Sequence, residues 1–241
     1  MSAIQATASL GDLVAERPAR SRVFDRLGLD YCCGGRLSLS EACRSKGLDV
    51  PAVVAQIESN DAQSIPSPGP DPRGLGLVEL ADLIEATHHV YLRENFERIS
   101  VMLERVIRAH EAKDPRLAQV GGVFSRMRSD LEIHLLKEEN ILFPMIRSLA
   151  AGKNPAGGCV EGLEGPLACM HSEHEAAGRD LAAIRGLTED FTVPAWACGT
   201  YRALLDALSN LDRDVREHIH KENNLLFPKA QAQEARLVQR H

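Results

Sequence analysis

Two eleven-residue stretches hold the residues with the clearest chemical potential. HLLKEENILFP, residues 134–144, returns 84 residues later as HIHKENNLLFP, residues 218–228. Each opens on a histidine and places a glutamate four positions on, His134 with Glu138 and His218 with Glu222. Residues i and i+4 of an α-helix sit about 40° apart around its axis, so each pair projects from one face. One such pair would ordinarily be a surface contact worth a few tenths of a kcal/mol to its helix. Two pairs at matched positions ask for another explanation.

Further histidines stand at Thr87-His88-His89 and His171-Ser-Glu-His174, and the offsets agree: His89 to His134 is 45 residues, His174 to His218 is 44. The larger part of the chain therefore reads as a duplicated helix pair. Each copy gives one histidine from its first helix and His-x-x-x-Glu from its second, so four histidines and two glutamates are expected to converge in the core. A buried carboxylate without a counter-charge costs several kcal/mol, and a metal is the natural compensation. Six ligands exceed a tetrahedral zinc site, and no thiolate belongs to the set. Mixed imidazole and carboxylate ligation suits iron or manganese. If both glutamates bridge two metals, each metal sees two histidines and two carboxylate oxygens and keeps one or two positions open.

The remaining candidates are subsidiary. Asp130 and Asp214 each stand four residues before a histidine of the repeat; either could take the second ring N–H of a ligating histidine, or face water. His88 points about 100° away from His89 and is its reserve. His171 would line the entrance, His110 and His220 are expected at solvent or at a helix cap, and His241 in a tail.

These residues need long helices to position them. From Val78, apolar residues recur at helical spacing for about 35 residues without Pro or Gly, which gives a helix about 50 Å long. A break at Lys113-Asp114-Pro115 starts a second helix through Ile141, the loop at 150–166 follows, a third helix runs from about Leu167 to Leu187, and a fourth is expected to start at Pro194. The Leu-Phe-Pro endings should pack the bundle end and bend each helix just beyond the metal level. Ahead of the bundle, SLGDLVAE, Pro18 through Leu27 and SLSEAC read as short helices, with Ser38 and Glu41 as a capping box. The expectation is an all-α chain: a small helical domain with cysteines at 1–59, a linker at 60–76 rich in Pro, Ser and Gly, and an up-down-up-down four-helix bundle at 77–241.

Charge and composition narrow the partners. With 34 acidic against 28 basic residues and a net charge of −6, no broad positive field exists to attract nucleic acid or an anionic membrane. No signal segment and no membrane-spanning stretch is evident, so the chain is expected in the cytoplasm, with its six cysteines as free thiols. Cys43, Cys169 and Cys198 are expected to pack in apolar helical surroundings, and Cys159, in the 150–166 loop, is assigned no role.

Assembled in this way, the chain resembles the hemerythrin-like repair-of-iron-centres family of di-iron proteins. The resemblance covers nearly the whole chain and rests on HHVYLRENF, the HLLKEENILFP and HIHKENNLLFP pair, SEHE, and LGLDYCCGG in the N-terminal segment. It implies a hemerythrin-like bundle holding two non-haem iron ions, with His89, His134, His174 and His218 as terminal ligands and Glu138 and Glu222 as bridges. It also implies nitric oxide binding and the repair of iron–sulfur clusters damaged by nitric oxide or oxidants. Oxygen-carrying hemerythrins use five histidines and lack the N-terminal cysteine domain, so the four-histidine set and DYCCGG favour repair.

Cys32 and Cys33 are adjacent, where a bridge between them would be strained. One reading is a turn with one thiol buried; the other is a pair of thiols that accept iron or a nitrosyl group, since thiolates ligate iron well. The leading expectation is an iron donor acting on damaged iron–sulfur proteins, with nitric oxide or oxygen as small ligands and homodimerisation left open. The alternatives are a di-iron nitric oxide reductase and a protein that stores or senses nitric oxide or oxygen.

Overall fold

The structure, a computed structural model, describes residues 4–63, 71–153 and 162–239. Residues 64–70 of the expected linker, Cys159 with the 154–161 part of its loop, and His241 lie outside them. The described residues form helices and no strand; one isolated bridge joins Ser9 and Ser38. The chain divides into two compact units, Met1–Leu80 with Ile219–His241, and Ala81–His218.

In the first unit, α1 (Leu10–Glu16) starts at Ser9, whose hydroxyl accepts the Asp12 N–H. After a 3-10 turn at Pro18–Arg20, α2 (Ser21–Leu27) stops at Gly28, whose φ of 64° a side chain would resist. The Ser38–Glu41 capping box forms as expected and opens α3 (Leu39–Lys46). Helix α4 (Val50–Gln63) is tied back by a buried ion pair, Arg20 Nη2 to Asp61 Oδ2 at 2.7 Å, with both side chains 5% exposed. Leu10, Val14, Phe24, Tyr31, Leu39 and Ile57 make the core of this unit.

In the second unit the apolar spacing becomes a bundle. Helix α5 (Leu77–Ile84) passes through a π turn, Glu85–His89, into α6 (Val90–His110), and a five-residue connection turns the chain back into α7 (Arg116–Lys137). A second π turn, Glu138–Leu142, leads into α8 (Phe143–Ala150), and α9 (Glu164–Leu187) follows. Phe96 of α6 meets Phe124 of α7 edge to face at 6.4 Å, while Arg126–Asp180 at 2.5 Å links α7 to α9. Leu103, Val106, Leu131, Leu181, Leu204 and Val215 are among the residues filling the space between the helices.

Two expectations about helix ends are corrected. Pro194 does not start the last bundle helix: α10 begins at Gly199 and runs to Lys221. Between α9 and α10, Glu189, Asp190 and Phe191 all take positive φ, 50° to 58°, a left-handed run that delays the next helix. Arg116–Glu189 and Arg185–Asp190, each at 2.5 Å, hold that run in place. The bend near each Leu-Phe-Pro also lies earlier than expected. The helix departs from α geometry at Glu138–Leu142, and again at Glu222–Leu226 before α11 (Phe227–Val238), while Pro144 and Pro228 sit in the first turn of the helix that follows. The wider turn relieves the clash a proline ring makes with the carbonyl four residues back.

Candidate metal centre

The π turns coincide with the chemistry expected from the sequence. His89 ends the first, Glu138 opens the second and Glu222 opens the third. A π turn inserts one residue, about 100° of extra rotation, and such turns gather at functional sites. His89, His134, Glu138, His174 and His218 are all at most 1% exposed. Glu222, one turn beyond His218 on the same continuous helix, has no exposed surface either.

Five of these side chains converge within the bundle unit. His134 Nε2 lies 3.2 Å from His174 Nε2 and 3.3 Å from Glu138 Oε1. Glu138 Oε2 lies 3.2 Å from His89 Nε2 and 3.6 Å from His218 Nε2. Despite these approaches, neither oxygen of Glu138, nor Nε2 of His89, has a partner in hydrogen-bond geometry. Metal–nitrogen bonds of about 2.1 Å place ligand atoms at right angles about 3.0 Å apart, so the spacing is that of donors around a cation. The ligand atoms fall into two trios, His89, Glu138 and His218, and His134, Glu138 and His174, each within 4.8 Å, with Glu138 common to both. Burial pushes the Glu138 carboxyl up, but the His134, His218 and His89 imidazoles outweigh it and hold it well below the usual carboxylate range. Donor set and spacing fit a metal.

The carboxylates that steady His89 and His134 are not the aspartates singled out by spacing. His89 Nδ1 is 2.7 Å from Glu139 Oε1, and His134 Nδ1 is 2.8 Å from Glu173 Oε2. Arg93 braces Glu139 at 2.7 Å, and Lys137 pairs with Glu173. The hydrogen bond from His134 is the main reason the Glu173 carboxyl is held down at about 2. Asp214 meets His88 Nδ1 at 2.8 Å instead. His88 is thereby occupied away from the trios, its ring stacked 5.5 Å from that of His218. A signal for Glu139 was present, because the repeat reads K-E-E-N in one copy and K-E-N-N in the other; Glu173 carried no such mark.

That same divergence organises the first unit. Asn223, the counterpart of Glu139, donates to the Cys32 carbonyl at 3.2 Å, and Asn224 donates to the Tyr31 and Cys32 carbonyls, each at 3.2 Å. The cysteine pair is therefore held in a turn. Asp30 Oδ1 accepts from the Cys32 N–H at 3.1 Å and the Cys33 N–H at 2.9 Å, and the two sulfurs are 3.9 Å apart. Cys32 is buried and Cys33 half-buried, so of this pair only Cys33 reaches solvent. His220, expected at solvent or at a helix cap, is 5% exposed and packs edge-on against Tyr31 at 5.8 Å.

A cavity of about 200 Å³ between α7 and α9 is lined by His134, Lys137 and Glu173 together with Met127 and Ala177. His171, expected at an entrance, stands edge-on to His174 at 6.5 Å.

A sequence profile of the hemerythrin HHE cation-binding domain matches residues 83–230. The chain belongs to the hemerythrin HHE family. The match takes in all six expected ligands, and the family's description, cation binding, agrees with the donor geometry. A second profile, described as a domain of unknown function (DUF542), matches residues 6–61. Among curated relatives, the chain is 37% identical over 222 residues to the iron-sulfur cluster repair protein YtfE of Pectobacterium carotovorum, covering 92% of this chain and 96% of the relative. The proteins of that name from Musicola paradisiaca, at 35% over 227 residues with 94% and 97% covered, and from Yersinia pestis, at 35% over 222 residues with 92% and 96% covered, are similar along the same span. This hemerythrin-family chain thus extends over nearly the whole of those relatives, as the resemblance implied. Among the described residues, no helix is long and apolar enough to cross a membrane.

Proposed function

We propose that this chain holds two iron ions between His89, His134, Glu138, His174, His218 and Glu222, and releases iron to repair iron–sulfur clusters damaged by nitric oxide or oxidants. The observation that carries the reading is Glu138, wholly buried, without a hydrogen bond at either oxygen, and common to two groups of histidine donors. Glu222, one turn beyond His218, would join Glu138 in holding the two ions. The repair reading is supported by the iron-sulfur cluster repair proteins to which the chain is similar over more than 90% of its length.

Iron is cargo in this scheme, and while bound it supplies open coordination positions for nitric oxide. Imidazole and carboxylate donors suit iron, and the absence of thiolate from the set leaves the ion transferable. Glu139 and Glu173 keep the Nδ1 protons of His89 and His134 in place, so that each Nε2 presents its lone pair to the centre. Replacing either by alanine is expected to weaken metal affinity about 10–100-fold with helicity unchanged. Competition against a calibrated chelator measures this; a change below about threefold would contradict the role. Cys33, with Cys32 beside it, is the acceptor for departing iron or a nitrosyl group.

The whole reading is tested with an iron–sulfur enzyme inactivated by nitric oxide. Iron-loaded protein is expected to restore its activity, and the double variant Glu138→Leu, Glu222→Leu is expected not to. Equal rescue by the two would sink the proposal.

A further inference from the structure

Cys198 was expected to be a packing residue, and the structure corrects this: it is exposed and precedes α10. Its carbonyl accepts the Arg202 N–H at 3.0 Å, which makes it the residue capping that helix. The backbone N–H groups of Tyr201 and Thr200 help to lower its thiol pKa, at the end where a helix concentrates its unsatisfied donors. A second group faces the sulfur from another helix: His110, the last residue of α6, places Nε2 3.1 Å from Sγ. His110 stands at the end of its helix, as expected, and it is also part of a cluster.

The imidazole is fixed by aromatic neighbours. It stacks on Tyr201 at 5.8 Å and packs against Trp196 at 5.6 Å, and Trp196 and Tyr201 are themselves 5.6 Å apart. The charges nearby are largely positive. Lys113 Nζ sits 4.4 Å over the Trp196 ring, and Arg202 Nε donates to the Ala197 carbonyl at 3.2 Å. The acid on this side, Asp114, lies 3.5 Å from the Tyr201 hydroxyl and is already paired with Arg116 at 2.9 Å. A histidine in contact, two backbone donors and flanking cations are the surroundings in which a cysteine becomes a thiolate near neutral pH. The His110 hydrogen bond, foremost, holds the Cys198 thiol below its ordinary pKa. Cys169, also exposed, is the contrast, since burial and the neighbouring Glu173 push its thiol up.

We propose that the Cys198–His110 pair is a site of thiol–disulfide exchange that takes up low-molecular-weight disulfides as a mixed disulfide. The Cys198 thiolate attacks one sulfur of the incoming disulfide, and a new S–S bond forms as the old one breaks. The electron pair leaves on the second sulfur, which takes the proton from the His110 imidazolium and departs as a thiol. Cys198 is oxidised and the departing sulfur reduced, so the disulfide is the only co-reactant required. Neither residue belongs to the metal trios, so the site stands or falls independently of iron.

The test is incubation of the full-length chain with oxidised glutathione from pH 5 to 9, acid quenching, and peptide mapping by mass spectrometry. At pH 6.5, Cys198 is expected to acquire glutathione at least about threefold faster than Cys169, because its larger thiolate fraction outweighs the lower nucleophilicity of the more acidic thiolate. In urea the two cysteines should react alike, a comparison that needs no variant. His110→Gln, checked for retained helicity, should remove the advantage at low pH and leave the rate at pH 9 within a fewfold. Equal rates in the folded wild type at pH 6.5, or an advantage that persists in His110→Gln, would overturn the proposal.

Discussion

Glu138→Leu is expected to empty both metal positions at once, whereas His174→Ala or His89→Ala should leave one metal per chain. The difference follows from membership. Glu138 offers oxygen atoms to both donor trios, while His174 belongs to one and His89 to the other. The same variant should lose stability with and without metal. Glu138 is a fully buried carboxylate that the His134, His218 and His89 imidazoles hold well below the usual carboxylate range. Removing one partner of a buried charged set costs about 3–5 kcal/mol. With iron present the loss should be larger, because binding to the native state adds RT ln(1 + [L]/Kd). Metal content per chain and urea midpoints with and without chelator would check both halves. A Glu138→Leu protein retaining one metal would show that the trios do not share this carboxylate as a ligand.

Gly35→Ala is expected to destabilise the first unit by about 2–4 kcal/mol, a larger cost than most glycine substitutions carry. A Cβ at Gly35 would lie 2.3 Å from Asn224 Oδ1 and 2.5 Å from the Tyr31 carbonyl oxygen. The second of these is backbone and cannot swing aside. Relief would therefore disturb the Asn224 bonds to the Tyr31 and Cys32 carbonyls and the Gly11 N–H to Gly35 carbonyl bond at 2.8 Å. Gly122 in α7 is the control. It is exposed and nothing lies within 4 Å of its added Cβ, so Gly122→Ala should stabilise by about 0.5–1 kcal/mol through helix propensity. Thermal unfolding of the two variants side by side measures the contrast. A Gly35→Ala loss no larger than about 0.5 kcal/mol would show that the asparagine clamp is dispensable.

Most of the bundle was legible in the sequence because an α-helix is a local structure. Apolar residues at i, i+3 and i+4 mark the buried face without any knowledge of what covers it. His134 with Glu138, and His218 with Glu222, share a face by the same rule, and the matched offsets of 45 and 44 residues put the other histidines at comparable heights. The Ser38–Glu41 cap was equally readable, since both of its hydrogen bonds close within three residues. Spacing left the role of the aspartates open, for a physical reason. Asp130 and Asp214 also satisfy i, i+4 spacing, but a side chain on the same face of one helix competes with neighbours from other helices. Glu139 and Glu173 reach the ring nitrogens of His89 and His134 across the bundle, 50 and 39 residues away along the chain.

The sequence by itself determined the helical class, the candidate ligands and the repeated His-x-x-x-Glu motif, because each is carried by spacing within a few turns or by repetition of such spacing, and its motifs carried the family resemblance. Tertiary structure alone decided the rest. The π turns at Glu85–His89, Glu138–Leu142 and Glu222–Leu226 each add about 100° of rotation that no periodicity announces. The packing assigned Glu139 and Glu173 to the histidines, buried His220 against Tyr31, and grouped residues 219–241 with the N-terminal helices. It also brought His110 to Cys198, 88 residues apart. Periodicity specifies which face of a helix is buried, while the angle and depth at which that face meets another helix depend on every side chain between them. Contacts between distant residues are set at that second level.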